Sequence, residues 1–178
     1  MSQNLLLQTI KEHMNEGGLR TQGIFKQSKP NRPLITIITI VFNGKCKLEE
    51  TIKTIIGQSY NNIEYIIVDG GSTDGTLDII RQYEHCIDYW VSEKDGGIYD
   101  AMNKGIDLAS GDWINFMNSG DTFHNEKILE KFFIREPAAD ILYGDTVFRY
   151  EANATKIKKP RAYVPSSGVI SGHGFLDR

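Results

Sequence analysis

Four short polar clusters carry the groups that could do chemistry in this sequence: Asn43-Gly44, Asp69-Gly70-Gly71-Ser72, Lys94-Asp95-Gly96-Gly97 and Asn118-Ser119-Gly120-Asp121. Each follows a short apolar run. Three of them bring a carboxylate, and all four bring glycine. Glycine lets a backbone approach a ligand closely. Carboxylates gathered at one edge can bind hydroxyls, a base N–H or a hard cation. Other chemistries lack their motifs. There is no GxxxxGK[ST], the glycines of DGGSTDG do not fit GxGxxG, and GxSxG, HExxH and CxxC are absent. The two cysteines, Cys46 and Cys86, fit a reduced cytosolic protein and cannot form a metal site by themselves.

The elements that must position these clusters are legible from periodicity. Ile35 to Phe42 is apolar and β-branched almost throughout, as in a strand buried on both faces. Leu48, Ile52, Ile55 and Ile56 then recur at helical spacing. Ile63 to Val68, Ile87 to Val91 and Trp113 to Met117 read as further strands, with a short helix around Leu77, Ile80 and Arg81. Ile98, Ala101, Met102, Gly105, Ile106 and Ala109 form a helical stripe expected to face a core. A helix from about Asn125 to Phe133 follows. Ile141 to Tyr150 reads as a strand, with residues 155–164 pairing to it. At the other end, residues 4–14 suit a short amphipathic helix and residues 15–33 a linker or surface arm. Strands alternating with helices predict a mostly parallel sheet with right-handed crossovers. In such sheets ligands bind beyond the carboxyl ends of the strands, where all four clusters fall.

The chain has 178 residues, which suits one domain or one domain with a tail. Its net charge of −3 is unevenly spread. Residues 1–33 carry five Lys/Arg against two Asp/Glu, as do residues 151–178, whereas residues 34–150 carry ten against nineteen. So acidic a middle excludes nucleic acid as a partner and predicts that an anionic ligand needs a divalent cation beside it. The basic ends could touch an anionic membrane or a phosphorylated substrate, or simply be solvated. The run from Leu34 to Phe42 is about half of what a membrane-spanning helix needs. Nothing reads as a secretory signal, so a cytoplasmic chain is expected, with peripheral contact at the inner membrane face.

The segments PLITIITIVFNG, EYIIVDGGSTDGT and EKDGGIYDAMNKGIDLASGDWINFMNSGD resemble family 2 glycosyltransferases of the GT-A fold, most closely bacterial enzymes that build surface polysaccharides. The resemblance covers about residues 33–150. It implies an α/β, Rossmann-like, mostly parallel sheet flanked by helices. It also implies inverting transfer of a sugar from a UDP- or GDP-linked nucleotide-diphosphate sugar to a glycan or lipid-linked acceptor hydroxyl. By position, Asp69 matches the aspartate that contacts the nucleoside, although an Asp-Gly turn ending a strand would look the same. Asn43 matches the strand-end position beside the base, or is a plain turn residue. Ser72 and Thr73 suit a turn and helix cap. Asp95, Asp100 and Asn103 match the segment lining the donor site, while Asp100 also suits a first helical turn. Asp121 matches the last aspartate of a DxD-like motif, which binds Mn2+ or Mg2+ bridging the diphosphate. Here that motif reads NSGD, with Gly120 where an aspartate often precedes, and it could be a tight turn without metal. Asp145 matches a position near the acceptor side, or is a strand-edge charge. His173 falls where relatives have a His-Gln pair; His13, His85 and His124 read as surface residues.

Inverting transfer needs a general base to deprotonate the acceptor. The resemblance implies an acidic residue downstream of His173, and the chain ends at Arg178. The expectation is therefore an arm over residues 1–33 and a GT-A domain over residues 34–178 that is incomplete on its C-terminal, acceptor side. Asp95 or Asp145 could act as base only in an unusual geometry. The alternative is a truncated nucleotide-sugar-binding domain with little or no turnover.

Overall fold

The computed structural model describes residues 15–134, 140–149, 155–158 and 174–177. Along the chain it places β1 (Glu16–Gly17), β2 (Ile35–Val41), α1 (Lys45–Ile56), β3 (Ile63–Asp69), α2 (Thr76–Gln82), β4 (Tyr89–Ser92) and α3 (Ile98–Leu108). These are followed by β5 (Trp113–Phe116), α4 (Ile128–Phe132), β6 (Ile141–Tyr143), β7 (Thr146–Arg149), β8 (Thr155–Lys158) and β9 (Gly174–Asp177). The helix expected over residues 4–14, and His173, lie outside the described residues.

One seven-stranded sheet has the order β1-β4-β3-β2-β5-β9-β6. The strands β4, β3, β2 and β5 are mutually parallel, and β6 runs the same way because both it and β5 are antiparallel to β9. Strand alternation explains the two cores. Ile35, Ile37 and Val41 of β2 join Tyr65 and Ile67 of β3 under α1 and α2. Ile38 and Ile40 join Ile66 and Val68 under α3 on the opposite face. Both faces are covered, so the central strands are apolar without interruption.

The α3 stripe is narrower than its spacing suggests. Ala101, Gly105 and Ala109 are buried, whereas Ile98 and Ile106 are exposed. The small residues bring the helix close to β2: a Cβ on Gly105 would stand 2.5 Å from Ile38 Cγ2. At that separation the larger side chains are left on the flanks. The strand expected from Ile141 to Tyr150 is two strands in two different sheets, interrupted at Gly144-Asp145. The second of them, β7, pairs with β8.

Residues 15–33 are packed, not a free linker. The strand β1 pairs with β4, and Gly17 and Gly18 lie where a side chain would collide with Trp90 and with the Ile87–Asp88 backbone. These glycines serve close approach, which a sequence reading takes for flexibility. Ion pairs fasten the segment: besides Arg32 with Glu130 at 3.2 Å, two reach buried carboxylates. Lys26 Nζ meets Asp88 at 2.7 Å. Arg20 pairs with Glu64, which is 1% exposed, and also donates to the Leu108 carbonyl at 2.7 Å. Glu64 further accepts the Thr36 hydroxyl at 2.6 Å, the Ser110 N–H at 2.8 Å and the Ser110 hydroxyl.

Burial pushes the Glu64 carboxyl up, but the Ser110 and Thr36 hydrogen bonds and the Arg20 charge outweigh it and hold the group below its ordinary value. Burial pushes Asp88 up, despite Lys26 and the Tyr65 N–H. The signs are opposite. The Glu64 contribution is present above the ordinary carboxylate range and is lost as pH falls through the lower folded value. Asp88 gains stability over the acid range. Arg20→Ala should cost about 3 kcal/mol by leaving Glu64 without a counter-charge, measured by urea unfolding at neutral pH. Glu64→Gln should flatten the acid-side loss of stability; an unchanged pH profile would contradict this account.

Candidate functional site

Beyond the carboxyl ends of β2 to β5 lies an open cleft of about 780 Å³. Phe42 and Asn43 enter it from β2, Lys94 and Asp95 from the segment after β4, and Asn118 and Ser119 from the segment after β5. The first turn of α1 contributes Gly44, Cys46 and Lys47. The sheet therefore brings the four polar clusters to one edge.

The loops after β2 and β3 are clasped together. Asp69 is fully buried, and its carboxylate accepts the Ser72 N–H at 3.0 Å, the Ser72 hydroxyl and the Ser92 hydroxyl at 2.6 Å. Asn43 has φ 49°, a left-handed conformation that asparagine tolerates. Its N–H donates to Ser72 Oγ at 2.7 Å and its Oδ1 accepts the Thr73 N–H at 3.0 Å. Asp74 accepts the N–H groups of Lys45 and Thr76, both at 3.0 Å, so the first helical N–H of α2 goes to Asp74, not to Ser72 or Thr73. The Thr76 hydroxyl, then those N–H groups, hold Asp74 below its ordinary value.

The approach to α3 is braced similarly. Half-buried Asp95 accepts the Gly97 N–H at 2.9 Å, and exposed Asp100 accepts the Gly96 N–H at 2.9 Å. Asn103 is exposed one turn further along and does not line the cleft. The NSGD segment is a tight turn, with the Asp121 N–H on the Asn118 carbonyl at 2.9 Å and Gly120 at φ 100°. That φ excludes an ordinary side chain without strain, which accounts for glycine at this position. Thr51 of α1 holds the turn by accepting the Gly120 N–H at 2.9 Å and donating to the Asp121 carbonyl at 2.9 Å. Asn118 Oδ1 and Ser119 Oγ are shielded from solvent and have no partner among the described residues. Exposed Asp145 follows β6 at the same edge of the sheet, about 10 Å beyond β5 across β9.

Among the described residues no three His, Cys, Asp or Glu side chains cluster as a metal cage. The hard oxygen donors of the turn are those of Asn118 and Ser119, which line the cleft, and of Asp121, which is not among the lining residues. These fit Mg2+ or Mn2+ where ligand oxygens and water complete the shell. The sequence gives no functional reading to Phe42 or Lys47, and it names Lys94, Asn118 and Ser119 only as members of the strand-end clusters, without roles of their own. Phe42 looked like the last apolar residue of a strand, yet it is 67% exposed. Lys47 enters the sequence reading only through the overall charge. Among the described lining residues are two lysines and a single carboxylate, Asp95, so the cleft wall is not acidic although the surrounding sequence is.

The fold and site have relatives. An uncharacterized glycosyltransferase of Mycobacterium tuberculosis is 43% identical over 98 residues, covering 54% of this chain and 37% of the relative. A PGL/p-HBAD biosynthesis glycosyltransferase of Mycobacterium bovis is 34% identical over 125 residues, covering 66% and 48%. An uncharacterized glycosyltransferase of Haemophilus influenzae is 31% identical over 150 residues, covering 82% and 60%. The chain thus spans roughly half the length of these relatives. Among solved structures, the Pyrobaculum calidifontis mannosyltransferase PcManGT, in complex with GDP-Man and Mn2+, superposes with a TM-score of 0.58 at 22% identity, over 68% of this chain and 37% of that one. Residues 1–349 of Staphylococcus aureus TarS, in complex with UDP-GlcNAc, give 0.56 at 25%, over 62% and 33%. These neighbours bear out the GT-A fold. The sequence profile of Glycosyl transferase family 2 matches residues 36–170, most of the chain. A mostly parallel sheet with its polar clusters at one carboxyl edge, and a profile match across most of the chain, make this chain a member of glycosyl transferase family 2.

Proposed function

We propose that the cleft binds a nucleotide-diphosphate sugar, UDP- or GDP-linked. The chain then serves metal-assisted, inverting transfer of the sugar to a hydroxyl of a glycan or lipid-linked acceptor in polysaccharide biosynthesis. The observation that carries this is the cleft wall, where an exposed aromatic ring, a half-buried carboxylate, two unpartnered oxygens and two lysines converge beyond four parallel strands. The GDP-Man and UDP-GlcNAc of the two solved neighbours belong to this ligand class.

Phe42 offers its face to the base, a contact worth about 1–3 kcal/mol per base in nucleic-acid sites. Asp69 is occupied by Ser72 and Ser92, so its role is to fix the Gly70–Ser72 backbone against the nucleoside. Asn43 holds the same loop from the β2 side. Asp95 and Asp100 set the turn from which α3 begins, with Asn103 further along that helix. Asp121, with Asn118 and Ser119, would hold Mn2+ or Mg2+. Bound there, the cation supplies charge neutralisation for the departing diphosphate. Neither Asp95, committed to the Gly97 N–H, nor the distant Asp145 is assigned as base. Donor binding without turnover is therefore the second reading, favoured by a described cleft whose groups are all donor-side. No helix among the described residues is long and apolar enough to cross a membrane. We further place the chain in the cytoplasm, with its basic ends against an anionic membrane face.

Calorimetric titration with UDP and GDP should show binding that Mn2+ strengthens. Absence of binding at millimolar nucleotide would refute both readings, and a sugar-transfer assay with glycan acceptors separates them. In Asp121→Asn the strengthening by Mn2+ should disappear; an intact Mn2+ effect would remove Asp121 from the metal site. Asn43→Gly keeps the left-handed backbone and the N–H bond to Ser72 but deletes the Oδ1 bond to the Thr73 N–H, so affinity should fall several-fold with little loss of stability. Asn43→Ala should additionally lose about 1 kcal/mol of stability by thermal unfolding.

A further inference from the structure

The NSGD turn contains one carboxylate, and the space beside it holds a cation of the protein. A Cβ on Gly120 would stand 3.1 Å from Lys47 Cδ, 3.7 Å from its Cβ and 4.0 Å from its Cγ. The Lys47 stem therefore lies across the face of Gly120, where a side chain at that position would project, and Lys47 lines the cleft. Lys47 is exposed, and its position at the start of a helix is mildly unfavourable. The first turn of α1 holds no acidic residue and carries both Lys45 and Lys47, although the amino end of a helix is itself positive. The nearby anion Asp74 is engaged by the Lys45 and Thr76 N–H groups. None of the ion pairs among the described residues uses Lys47. A cation at the positive end of a helix, facing a cleft, is a local conflict that an anionic ligand resolves.

We propose that Lys47 is a diphosphate-binding residue of this chain. It carries part of the counter-charge itself, so that nucleoside diphosphates bind in part without a divalent cation. This rests on the nucleotide-sugar reading of the cleft, and it adds a charge that the metal site alone does not supply. Lys47 donates an ammonium N–H to a phosphate oxygen from the exposed wall of the cleft, beside the turn that bears Asp121.

The test is titration of the full chain with UDP and GDP in EDTA and in saturating Mn2+, with uridine and guanosine as probes lacking phosphate. In EDTA the unaltered chain should still bind the diphosphates. Lys47→Ala should weaken that binding about tenfold, the order of a charge-assisted hydrogen bond, and Lys47→Arg should restore most of it. In Mn2+ the loss should shrink, because cation and lysine share the same charge. Nucleoside affinity should be the same in the unaltered chain and Lys47→Ala. Lys53→Ala, which removes a charge from the same helix where Lys53 pairs with Glu49, should leave all affinities unchanged. Equal diphosphate binding by the unaltered chain and Lys47→Ala in EDTA would overturn the proposal, as would binding that appears only with Mn2+. A chain that binds no nucleotide under any condition would instead defeat the cleft assignment, and this proposal with it.

Discussion

A buried carboxylate at the foot of the sheet holds the arrangement together. Glu64 lies near the amino end of β3, remote from the cleft, yet it accepts from Thr36 of β2, from Ser110 beyond α3 and from Arg20 of the amino-terminal segment. Arg20 in turn donates to the carbonyl of Leu108, the last residue of α3. A buried charge is tolerated only when it is paired and hydrogen-bonded, so these partners must arrive together. Once they do, α3 is fixed at its carboxyl end and its small-residue stripe seats it on β2. Its amino end, with Gly97, is then delivered to the cleft.

The same economy of hydrogen bonds governs the acids at the other end. Asp69, Asp74, Asp95 and Asp100 each accept at least one backbone N–H from the loops they stand in or beside. These loops have few side chains and much glycine, so their backbone donors would otherwise face water without order. The carboxylates therefore build the rim before they contact any ligand. Their negative charge is spread into backbone dipoles, and lysines stand among the groups facing the cleft. The acidity of residues 34–150 thus describes how the loops are held more than what the cleft attracts.

How much of this was legible follows from what each signal encodes. The strands β2, β3 and β5 and the helix α1 come from apolar periodicity, which burial on one or two faces imposes directly. The gathering of the Asn43, Asp69, Asp95 and Asp121 clusters at one edge follows from the parallel topology. The packed segment before Leu34 was illegible because Gly17 and Gly18 mark close approach there, and glycine looks the same in a flexible chain. The division at Gly144-Asp145 was missed because the apolar residues on either side, Ile141 and Leu142 before it and Val147 and Phe148 after it, lie close enough to read as one strand, although the two halves join different sheets. Phe42 and Lys47 escaped because a single residue at the edge of an element carries no period.

What remains unsatisfied in the cleft is as informative as what is bonded. The rim carboxylates are already committed, so ligand binding need not order them. Asn118 Oδ1 and Ser119 Oγ, by contrast, are shielded and without a partner among the described residues, a state that costs about 1–3 kcal/mol for each such group. The turn that imposes this is over-determined, since Thr51 grips it on both sides of Gly120 and Gly120 takes a backbone conformation that other residues resist. The fold therefore holds two oxygens at a fixed place at its own expense. Any ligand or cation that pairs with them there recovers that cost without rearranging the protein.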